Sequence, residues 1–247
     1  MKKSGAPLPE ILDKTITACL DNGTRLLDES YDLEFRDPVA TRFYLILIAQ
    51  EEFAKAFILY LVREGIAPLN SSVQRAIKDH ACKQLVGMIL DYMIMHWEEV
   101  VELHAMIERD LDLGNRLPHE IASALELLCY EKISRWTKDN LAWVEEPEYD
   151  RQAVAISKGK KDRRKQDALY VRIGGQGEVC STPVVITDQE VERELERAKR
   201  YRGCVFGAQR GEDAGFDRSR FDKVIEALTL LFESERRHAA QSAGALG

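Results

Sequence analysis

The sequence predicts a mainly α protein: a bundle of about four long helices followed by a small C-terminal α+β appendage, a β-hairpin and two helices. Three observations carry this. Apolar residues recur at helical spacing over most of the first 146 positions. Strand-like runs are confined to Ala168–Ile186, on either side of a Gly-rich turn. One segment, Asp37 to Gly65, is apolar nearly all round, as befits a helix covered on every side by others.

Composition sets the outer bounds. The 247 residues are 45% hydrophobic and 31% charged, values of a soluble globular protein, and the net charge of -7 exerts no global pull on nucleic acid. The start, MKKSGAPLPE, has no apolar run behind its lysines and does not read as a secretory signal. Five cysteines (Cys19, Cys82, Cys129, Cys180, Cys204) are scattered without a C-x-x-C and read as reduced thiols. A cytoplasmic protein with no membrane contact and no cofactor is expected.

In order, Pro9 to about Glu34 forms the first helix, with Gly23 a weak point or a close-packing site. The second runs from Asp37, a cap, and Pro38, suited to the first turn, to the stop at Gly65, about 40 Å in all. It carries Glu51, Glu52 and Lys55 in an otherwise greasy rod. Three charges at mid-depth exclude a membrane span. They form either a structural ion pair or a functional cluster. Ser71 with Gln74 reads as a capping box opening a third helix to Arg109, long enough to kink near Gly87 or His96. Pro118 starts a fourth, through Trp136 and Trp143.

Periodicity then lapses. Lys158–Lys165, KGKKDRRK, holds six basic residues and one acidic, and reads as a solvated linker. Lys158, Lys160, Lys161, Arg163 and Arg164 are the candidates for RNA phosphate contact. ALYVRI and EVCSTPVVI make the hairpin around GGQG. Thr187 with Glu190 is a capping box, and Ile186 with Val191 its hydrophobic staple. The helix they open is charged on most faces and reads as an ion-paired surface helix. A last helix spans about Asp217 to Arg237. The expected units are therefore a bundle over 1–146, a basic linker over 147–167, a small α+β region over 168–238 and a frayed tail over 239–247.

The segments LILIAQEEFAKAFIL (from Leu45) and KDHACKQL (Lys78–Leu85) resemble the EE-x-x-K and D-H-x-x-K elements of the AbiV abortive-infection family. The later KQDALYVRIGGQGEVCSTPVVITDQEVERELERAKR resembles that family's LYVD segment, with Arg172 where an acidic residue is usual. The resemblance implies a HEPN-like helical bundle, usually a homodimer, acting in defence against bacteriophage. Many HEPN ribonucleases carry R-x(4–6)-H, and Arg75-AIKD-His80 matches it. Imidazole can take a proton from an RNA 2′-hydroxyl while guanidinium holds the phosphate. In the competing reading, His80 and Lys83 contact Glu51 or Glu52 in an inert buried network. Two functions stand side by side: a defence effector that binds a phage or host protein and shuts down a host process, and a dimeric, metal-independent endoribonuclease using Arg75 and His80. No metal is expected, because the only Glu-x-x-His, Glu235 to His238, falls near the frayed end.

Overall fold

The helix rich in apolar residues on every face lies at the centre, covered by helices that precede and follow it in the chain. In the computed structural model, residues 9–96, 119–128 and 150–210 are described, with scattered positions between 102 and 109 and between 221 and 229. Helix α1 spans Pro9–Tyr31 and α2 Ala40–Arg63. They pack along their length, and α2 buries Phe43, Ile46, Phe53, Phe57 and Tyr60 almost completely. Gly23 is the close-packing site: a Cβ there would stand 2.6 Å from the Phe53 ring. Helix α2 begins later than its sequence suggests. Val39, not Asp37, occupies the N-cap position without a side-chain bond, and the Asp37–Pro38 peptide is cis. Its end follows the sequence: Gly65 adopts φ 75°, where a side chain would be strained.

The expected third helix is two helices. α3 spans Ser71–Lys78 and α4 His80–Met95. Asp79 divides them, with an extended backbone whose N–H still bonds Arg75 O while its carboxylate accepts from Cys82 N, ending one helix and capping the next. Asn70, rather than Ser71, caps α3 by accepting from Val73 N. Gly87 sits inside unbroken α4, and the helix ends at His96. Its expected continuation to Arg109 lies largely outside the described residues.

Helix α5, His119–Glu126, and α6, Arg151–Ser157, pack on α4. The basic run is a helix as well: α7, Lys160–Asp167, lies against α2 and α4. The expected solvated linker is corrected there, because two of its lysines turn inward to buried carboxylates. Strands β1 (Arg172–Ile173) and β2 (Val179–Ser181) pair antiparallel, with an irregularity after Arg172. Pro183–Val185 is a short 3-10 turn, where a continuing strand is expected from sequence. Helix α8, Asp188–Arg210, starts with the Thr187–Glu190 capping box, and Ile186 and Val191 are both buried beside it.

Helix α8 is no surface helix. It packs along α2 and α4 through Val191, Leu195, Ala198, Tyr201 and Val205, and the Tyr201 hydroxyl donates to Gly87 O. The fold is thus mostly helical with one small two-stranded sheet near the C-terminal end, consistent with a HEPN-like bundle. Phe221, from the region of the expected last helix, packs edge-on against Tyr60. Most of that helix, the tail, Cys129, Trp136 and Trp143 lie outside the described residues.

Candidate functional site

The site is built on Glu51, at the middle of α2 and 4% exposed. Four side chains from two other helices converge on its carboxylate. From α4, Gln84 Nε2 donates to Oε1 at 3.1 Å, Lys83 Nζ lies 3.1 Å from Oε2, and His80 Nδ1 bonds Oε2. From α7, Lys165 Nζ donates to Oε1 at 2.7 Å and also stands 2.9 Å from Asp162 Oδ1. Burial alone would raise the pKa of the Glu51 carboxyl. The Lys83 and Lys165 ammoniums outweigh it, and the carboxyl is held at about 2. An ionised carboxylate can only accept, so in the His80–Glu51 bond Nδ1 is the donor, while Lys165 Nζ stands 3.1 Å from the same nitrogen and Nε2 is left clear of the knot. The His80 side chain is 50% exposed.

The other sequence candidates fall outside this knot. Glu52 pairs with Lys55 on its own helix. Arg75 sits near the end of α3, across the Asp79 break from His80, so the two are not on one helical rod. Of the basic run, Lys161 and Arg164 are engaged internally, the latter with Glu190 and Val185 O, whereas Lys158, Lys160 and Arg163 are exposed. Arg172 forms a bidentate pair with Asp167.

A second buried cluster adjoins the first and escapes sequence reading. Glu194 of α8, 5% exposed, accepts from Gln50 Nε2 at 3.0 Å, Lys161 Nζ at 3.1 Å and Arg197 Nη1 at 2.8 Å. Burial would raise this carboxyl too, but Lys161 and Arg197 hold it at about 2. Arg197 and Arg200 both reach Asp91 on α4. The signal for Glu194 was its place on the apolar stripe of Val191, Leu195 and Ala198. Lys165 could have been found as the i+4 partner of Lys161.

A cation could be considered where Glu51, His80 and Asp162 bring ligand atoms within 4.8 Å of one another. Two ammoniums already sit on Glu51, so the donor set suits an ion pair better than a divalent ion. What the knot does chemically is hold one imidazole in a fixed orientation at the bundle surface and tie α2, α4 and α7 together.

A family model described as AbiV, of HEPN type, matches residues 11–202. The chain belongs to the AbiV family. AbiV is a HEPN family of abortive infection, that is, anti-phage defence. The matched span contains Glu51, His80, Lys83, Lys165 and Glu194, so both buried clusters of this AbiV protein lie within the family region. Comparison with curated proteins and with solved structures gives no match. No helix among the described residues is long and apolar enough to cross a membrane.

Proposed function

We propose that this AbiV protein defends its host by binding a phage or host protein and shutting down a host process. The observation that carries this reading is the hairpin region. Tyr170, Val171, Ile173, Val179, Val184 and Val185 are large apolar side chains left 42–73% exposed within one short segment. Such a concentration of uncovered apolar side chains favours a protein partner. Five of the six are aliphatic, with Tyr170 the one ring that could stack on a base, and Lys161 and Arg164 of the basic run are spent on internal carboxylates. Phage plating on cells carrying Ile173→Asp with Val179→Asp tests it. Protection is expected to disappear while His80→Ala cells stay protected. Wild-type protection by the hairpin variant would overturn the reading.

The second reading, a dimeric metal-independent endoribonuclease using Arg75 and His80, draws support from His80. Its Nδ1 is held by Glu51, which leaves the Nε2 edge of a half-exposed ring for a 2′-hydroxyl. The expected result is RNA cleavage in chelator that is lost in both His80→Ala and Arg75→Ala. Equal rates in all three proteins end it. HEPN domains often dimerise, and a homodimer by sedimentation is expected under either reading.

A further inference from the structure

A cavity of about 190 Å³ lies where α4, α5, α6, α7 and α8 meet, and neither functional reading uses it. An engineered apolar cavity of about 150 Å³ admits benzene, so this one has room for a single ring with a small head group. Met88, Tyr92, Met95 and Ile156 supply apolar wall, and Lys161 and Arg197 supply charge. Both cations keep donors in reserve. Lys161 Nζ gives two of its three hydrogens, to Gln50 Oε1 and Glu194 Oε2. Arg197 commits Nε to Asp91 and Nη1 to Glu194, and its Nη2 has no acceptor among the described residues. Lys161, Arg197 and Arg200 share the carboxylates of Glu194 and Asp91, while the cavity lining itself sets Lys161 and Arg197 against Asp91 and Glu120.

We propose that this cavity is a binding site for a small aromatic oxyanion, a carboxylate or a phosphate monoester. Its head group sits on Arg197 Nη2 and Lys161 Nζ, and its ring lies against Met88 and Tyr92. Arg is the side chain whose geometry best suits such a head group, and a thioether and a phenol are soft, flat neighbours for a ring. Exposed Glu120 also lines the cavity, and its charge opposes an incoming anion. The site is separate from the hairpin and from His80, so its test does not depend on either reading.

Calorimetric titration of the full chain at low salt with phenyl phosphate and with benzoate tests the proposal. Inorganic phosphate, which lacks the ring, and benzyl alcohol, which lacks the charge, are the controls. At least one aromatic anion is expected to bind saturably, about tenfold more tightly than either control. The stronger of the two identifies the head group. Glu120→Lys is expected to tighten binding about threefold, an effect that fades with added salt. Met95→Trp, which fills the cavity from an exposed position, is expected to weaken binding about tenfold. Both variants change exposed residues, so the fold survives in each. The proposal is overturned if neither anion binds saturably, if a control binds as well as the better anion, or if both variants keep the wild-type affinity.

Discussion

Glu51 owes its ionised state to the company it keeps. Its carboxyl and that of Glu194 are held at about 2, against the usual 4.5, because each is surrounded by cations that outweigh the cost of burial. A value lower in the folded than in the unfolded chain contributes stability above pH 4.5, and that contribution is lost as pH falls toward 2. Each group is worth roughly 3 kcal/mol on this account. Urea unfolding followed across this range is expected to show the midpoint falling steeply on the acid side. Glu51→Gln leaves the buried Lys83 ammonium without its counter-charge and Lys165 with Asp162 alone. It is expected to cost roughly 3–5 kcal/mol near neutral pH and to flatten the acid-side slope. Sequence could not choose between Glu51 and Glu52, because both have Lys55 within helical reach; only the placement of α4 and α7 separates them.

At the scale of the element, close approach decides what each helix tolerates. Gly23→Ala places a methyl group against the Phe53 ring where α1 crosses α2. Thermal unfolding is expected to report a loss of roughly 1–3 kcal/mol. Helices α1 and α2 and the Thr187–Glu190 box were legible because their signals are local: apolar periodicity and a paired cap. The α3–α4 break was legible in principle, since Asp79 is a good cap residue, but the apolar pattern continues across it and hides the change of direction. Helices α7 and α8 were misread because charge was taken as a mark of solvent. Their inward lysines, glutamate and arginine face each other across a helix interface, and a partner on another element leaves no trace in local spacing.

For the whole molecule, α8 matters most, since it returns to cover the central helix and closes the ladder of ion pairs. The hairpin between α7 and α8 extends from a core to which both helices belong. Backbone amides of α8 near Val191–Val205 are therefore expected to exchange with solvent as slowly as those of α2, in one cooperative unit. Exchange that is fast in α8 but slow in α2 would instead divide the chain into two separately opening parts.

The inward lysines also sort the amines of this chain into two populations. Lys83 and Lys165 are sealed beneath neighbouring side chains, while Lys78, Lys158, Lys160 and Lys199 stand in solvent. An acylating reagent would mark the second set at once and reach the first only when the bundle opens. The order of labelling then acts as a clock for how often Glu51 lets its partners go.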